Sequence, residues 1–88
     1  MNKKIKIQGK VQGVFFRKSA QEKARELDIK GWIRNEPDGS VTTEIEGNRE
    51  AVLLMENWLR TGPAPAKVEQ LIAEEGEDKN FGDFIIER

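Results

Sequence analysis

The chain has 88 residues, enough for one domain and no more, and its 36% hydrophobic content covers one sheet on one face but hides no large cofactor. It has no cysteine and no histidine, which removes disulfides, thiol nucleophiles, the usual zinc ligands and the commonest general base. Net charge is −1, yet residues 1–34 hold ten Lys or Arg against three Asp or Glu, and residues 35–88 hold five against thirteen, an asymmetry that suits either an anionic partner or mutual complementation of the two halves across the fold. The N-terminus lacks a signal-peptide apolar run and no stretch approaches a membrane span, so a cytoplasmic, soluble chain with no membrane partner is expected.

From Lys3 to Gln8, Ile5 and Ile7 alternate with Lys4 and Lys6, which predicts a half-buried strand. The period then changes: Phe16, Ala20, Ala24 and Leu27 form the stripe of a first helix. Lys30 to Asn35 is a second strand, with Trp32, like Trp58 later, expected in the core. Pro37-Asp38-Gly39 is a turn signal leading to a third strand, where Val41, Thr43 and Ile45 alternate with Thr42, Glu44 and Glu46. The acidic face of that strand is expected beside the lysines of the first.

Asn48 is a candidate N-cap for a second helix, whose stripe is Val52, Met55 and Leu59, widened by Leu54 and Trp58. Thr61-Gly62-Pro63 ends it. Val68 to Ala73 reads as a fourth strand, Glu74 to Asn80 as a solvated acidic loop that is no metal site, and Phe84 to Glu87 as a short last strand. The order β-α-β-β-α-β predicts an α+β, ferredoxin-like sandwich over residues 1–88, with two helices on one face of an antiparallel sheet. Many unrelated functions use this fold, so the chemistry must come from a site.

The start of the first helix is unusual. Gln12-Gly13-Val14-Phe15-Phe16 offers no capping side chain, and Arg17 and Lys18 place cations where the helix dipole opposes them, at about 0.3–1 kcal/mol each. An anion there would accept the loose N–H groups and neutralise Arg17, while Gly13 lets the backbone fold tightly around it. By the residues alone, two glycines ending a strand and a solvated arginine fit equally well.

The wording of the segment carries more. Gly9-Lys10-Val11-Gln12-Gly13-Val14-Phe15-Phe16-Arg17 resembles the acylphosphatase signature, Gly-x-Val-Gln-Gly-Val-x-Phe-Arg. The resemblance continues through Gly31-Trp32-Ile33-Arg34-Asn35, Asp38-Gly39-Ser40-Val41, Glu46-Gly47, Trp58-Leu59, Gly62-Pro63 and Phe84-Ile85-Ile86. It implies a phosphate cradle of backbone N–H groups from Gln12 through Gly13, Val14, Phe15 and Phe16 to Arg17. It further implies that Arg17 is the catalytic arginine and that Asn35 positions the attacking water.

The implied reaction is metal-independent, cofactor-free hydrolysis of a small-molecule acyl phosphate by a monomer. An acyl phosphate leaves as a carboxylate and needs no general acid, so a chain without histidine suffices. Acylphosphatase-like domains also occur within larger proteins that handle carbamoyl phosphate during hydrogenase maturation. With no linker in this sequence, the free-standing enzyme is the expectation. The alternative is a non-catalytic phosphate- or RNA-binding module. Strands 3–8 and 40–46 lack aromatics for base stacking and the second is expected to expose glutamates, so no nucleic-acid partner is expected. A P-loop is excluded by spacing.

Overall fold

The computed structural model describes residues 1–88. Its elements are β1 (Asn2–Lys10), α1 (Phe16–Glu26), β2 (Lys30–Asn35), β3 (Val41–Glu46), α2 (Arg49–Leu59), β4 (Lys67–Gly76) and β5 (Phe84–Ile86). The strands form one sheet in the order β4-β1-β3-β2-β5. β1 and β2 both pair antiparallel with β3, and β4 pairs antiparallel with β1, so each helix connects two parallel strands across a third. This is the expected ferredoxin-like sandwich.

The alternation in β1 sets the sheet's two faces. Ile5 and Ile7 are fully buried together with Ile33, Val41 and Ile45, and they pack against Phe16, Ala20 and Ala24 of α1 and Val52, Met55 and Leu59 of α2. Burying an aliphatic side chain of this size contributes about 1.5–3 kcal/mol. Both helices therefore lie on that one face. Leu54, counted on the α2 stripe from spacing, instead points outward and is 51% exposed. Trp58 is half-buried, its ring centroid 6.0 Å from that of Phe16.

One strand pair departs from the expected antiparallel sheet: β5 runs parallel to β2. The cause lies in the connection. β4 ends opposite Asn2, at the same end of the sheet as Glu46 and Lys30. From there the chain crosses to the far edge along the end of the open face. On turning back it must run antiparallel to β4, and hence parallel to β2.

That crossing segment also overturns two expectations about charge. Glu74 and Glu75 are not loop residues; they extend β4, paired with Lys4 and Lys3 of β1. Acidic residues on an edge strand are well placed, since charge there discourages edge-to-edge pairing. Glu44 and Glu46 are not exposed but buried, at 5% and 8%. Asn2 Nδ2 donates to both carboxylates at 3.0 Å, Lys79 N donates to Glu46 at 2.6 Å, and Lys79 Nζ pairs with Glu44. Burial alone would raise both carboxyl groups, yet these donors hold them below the ordinary carboxylate range.

Trp32 is likewise not a core residue. It lies half-buried on the open face, its Nε1 donating to Glu44 at 3.1 Å. The Arg34 guanidinium sits 4.8 Å and Lys4 Nζ 5.9 Å from its ring.

Candidate active site

Between β1 and α1 the backbone turns left-handed twice, at Gly13 (φ 72°) and at Phe15 (φ 62°, ψ 22°). Gly13 takes that geometry without strain. Left-handed residues so closely spaced curl the chain, a local geometry that turns successive N–H groups toward one concave side. Val11 and Val14, 1% and 7% exposed, anchor the curl in the core. Phe16 fixes its far end, since the ring is buried against Trp58 and against Gly62, where a Cβ would come within 2.5 Å of it.

Phe15 is the N-cap of α1, and no side chain caps the helix there. No turn, loop or cap hydrogen bond takes up the backbone N–H groups of residues 12–18. The first turn holds no acid, and Arg17 and Lys18 lie within it. Arg17 is half-buried, and its Nη1 donates to the Glu87 carbonyl at 3.4 Å. The nearby carboxylates go elsewhere: Arg34 pairs with Glu36 at 3.0 Å and with Glu87 at 3.5 Å. A hydrogen bond from Thr42 and the Arg34 guanidinium hold the Glu36 carboxyl below its ordinary range, so that pair is charged.

Asn35 ends β2 opposite Val41 and lines the same cavity as Gly13, Phe15, Phe16 and Arg17. Its Oδ1 is buried and has no hydrogen-bond partner in the protein. An unpaired buried acceptor costs roughly 1–3 kcal/mol and calls for a water or a ligand.

Not all of the sequence-predicted loop residues face that cavity with their side chains. Val14 belongs to the core. Gln12 turns its amide to the β2–β3 hairpin, where Nε2 donates to the carbonyls of Glu36 at 2.8 Å and Ser40 at 2.9 Å. It thereby ties the first residue of the curl to the residue following Asn35. Asp38 holds the hairpin in turn, accepting from Ser40 Oγ at 2.5 Å and Ser40 N at 2.9 Å.

Four further residues line the cavity: Val11, Lys18, Ile86 and Arg88. Val11 was visible only as part of the signature. Ile86 and Arg88 reach the cavity because β5 runs parallel beside β2, an arrangement with no local sequence signal.

An uncapped helix start that shares one cavity with Arg17 and Asn35, on a ferredoxin-like sandwich, defines an α+β protein with a candidate anion site. The family is shown by comparison: the Acylphosphatase family model matches residues 3–86, and the chain belongs to that family. It is similar to the acylphosphatase of Thiobacillus denitrificans, 42% identical over 78 residues that cover 89% of this chain and 88% of that protein. Among solved structures, an acylphosphatase from Coxiella burnetii superposes with TM-score 0.94 at 36% identity, covering 98% of this chain and 90% of that one. The acylphosphatase from Bacillus subtilis superposes with TM-score 0.95 at 27% identity, covering 99% and 98%.

Proposed function

We propose that this acylphosphatase hydrolyses the carboxyl–phosphate anhydride of a small acyl phosphate, with the phosphoryl group in the 12–17 cradle, Arg17 as its clamp and Asn35 as the group that orients the attacking water. The water oxygen forms a new bond to phosphorus as the bond from phosphorus to the acyl oxygen breaks. The carboxylate leaves with that electron pair, so no proton donor is required. One proton of the water passes to a phosphate oxygen or to solvent, since an amide is no base.

The transition state is loose, and it asks chiefly for positioning and for charge stabilisation on the phosphoryl oxygens. The N–H groups of the curl and the two-pronged Arg17 guanidinium supply the second. Asn35 supplies the first, its Oδ1 accepting a hydrogen bond from water. The observation that carries this reading is the buried, unpartnered Oδ1 of Asn35 in one cavity with Arg17. We further assign the reaction to a monomer acting in the cytoplasm; no helix is long and apolar enough to cross a membrane.

RNA binding is not favoured. Trp32, the aromatic that the strands turn to the open face, is engaged by Lys4, Arg34 and Glu44 rather than free to stack on a base.

The test is hydrolysis of benzoyl phosphate in EDTA, with Arg17→Ala and Asn35→Ala alongside. Turnover unaffected by EDTA and lost in both variants supports the reading. Inhibition by EDTA, or full activity in the Asn35 variant, overturns the corresponding part of it.

A further inference from the structure

Phe15 combines two costs. Its ring is 78% exposed, so burial contributes little to stability, and its backbone is held left-handed at φ 62°. Scattered exposed hydrophobic residues are ordinary, but a bulky residue at positive φ is an outlier, where glycine or asparagine would relieve the strain. Strain kept where the fold gains nothing in return points to function.

Its position says which function. The cavity has a floor and a mouth. Val11 and Phe16, 1% and 2% exposed, line its buried side, which we take as the floor, with half-buried Arg17. Phe15, Lys18 and Arg88 are exposed at the mouth, with Ile86 half-buried beside them. With the phosphoryl group at the floor, the acyl half must leave through the mouth. The apolar surface most exposed to it there is the Phe15 ring, with Ile86 lining the same cavity.

On the reading given above as the proposed function, we infer that Phe15 is a specificity residue, and that it selects acyl phosphates whose acyl half presents a flat apolar face, aromatic acyl groups first. An acetyl group is too small to cover the ring, whereas a benzoyl group stacks on it, and an aromatic contact of this kind changes affinity by about three- to tenfold. The ring is no catalytic group. It touches only the part of the substrate that does not react, and its energy appears mainly in KM unless it also orients the phosphate.

The experiment compares benzoyl phosphate with acetyl phosphate on the parent protein and on Phe15→Ala, Phe15→Trp and Phe15→Gly, with inhibition by inorganic phosphate measured for each. The expected result is a kcat/KM ratio of benzoyl to acetyl phosphate that falls about three- to tenfold in Phe15→Ala, chiefly through KM for benzoyl phosphate, and returns in Phe15→Trp. The inorganic phosphate constant separates a damaged cradle from a lost acyl contact, because only the first moves both substrates together. Phe15→Gly removes the ring and the left-handed strain at once, so it tests the same ratio should the alanine variant fold poorly. An unchanged ratio in the alanine and glycine variants, or an equal loss on both substrates, overturns the specificity role. Parent protein that hydrolyses neither substrate overturns the hydrolase reading itself, a failure distinct from the first.

Discussion

The two helices are the same length, eleven residues each, and pack on the same sheet face, but they begin in opposite ways. α2 starts with Asn48, whose side chain accepts from Ala51 N at 2.8 Å, and carries Glu50 in its first turn. The cap satisfies one of the free N–H groups, and the acid suits the dipole. α1 starts with a left-handed Phe15, no side-chain cap and no acid in its first turn, where Arg17 and Lys18 sit instead. One helix is finished by its own sequence, while the other leaves its end to be completed from outside. Where a fold solves a problem at one helix start and leaves it open at another, the open one is the place to seek a ligand.

The largest expected effect comes from removing the cation at the open end. Arg17→Ala should lower kcat about 10²–10³-fold, the usual loss for one donor to transition-state charge, and should also weaken inhibition by inorganic phosphate. Steady-state kinetics with benzoyl phosphate, alongside phosphate inhibition, checks both. Arg17→Lys should restore only part, since an ammonium cannot match two phosphate oxygens at once. If phosphate inhibition were unmoved, Arg17 would not be at the cradle.

Next comes the group across the cavity. Asn35→Ala should lower kcat about 10²-fold, the scale on which misplaced reactants lose rate, with phosphate inhibition nearly unchanged. The thermal midpoint should not fall, because the truncation removes an acceptor the fold leaves unpaired. A lower midpoint with unchanged kcat would make Asn35 a structural turn residue.

How much of this was legible in the sequence depends on distance along the chain. The missing cap, the misplaced Arg17 and the buried stripe from Phe16 to Ala24 are local patterns, and the structure keeps each of them. Partners set by long-range packing were not legible. Trp32 was read as core because it is large and apolar, but strand register turns it to the open face beside Arg34. Glu44 and Glu46 were read as solvated because alternation assigns them outward, and nothing local announces that Lys79 and Phe81 will cover them. Gln12 was assigned to the cradle through its backbone N–H, and nothing local announces that its side-chain amide is spent on Glu36 and Ser40.

The completed helix start should respond only in stability. Asn48→Ala should cost about 1 kcal/mol, a fall in thermal midpoint of roughly 4–8 °C for a domain of this size, with kcat and KM unchanged. Thermal denaturation followed by circular dichroism measures it. A cap removed from α2 that did alter KM would mean that the two helix ends are coupled, and the comparison would lose its sense.

The smallest effect is the most discriminating, because it has opposite signs in two readouts. Lys18 is exposed in the first turn of α1, at the mouth of the cavity. Replacing a cation there by an anion suits the helix dipole, so Lys18→Glu should stabilise the free protein by about 0.5 kcal/mol. The same carboxylate then competes with the substrate's phosphate for the same positive helix end. KM for benzoyl phosphate should therefore rise several-fold at low ionic strength, and the difference should shrink in high salt. Glu50→Lys, the mirror-image change at the start of α2, should destabilise by a similar amount and leave KM where it was. If Lys18→Glu neither raised the thermal midpoint nor raised KM, α1 would be an ordinary frayed helix end. Gain in stability joined to loss in affinity is what a helix start reserved for an anion requires.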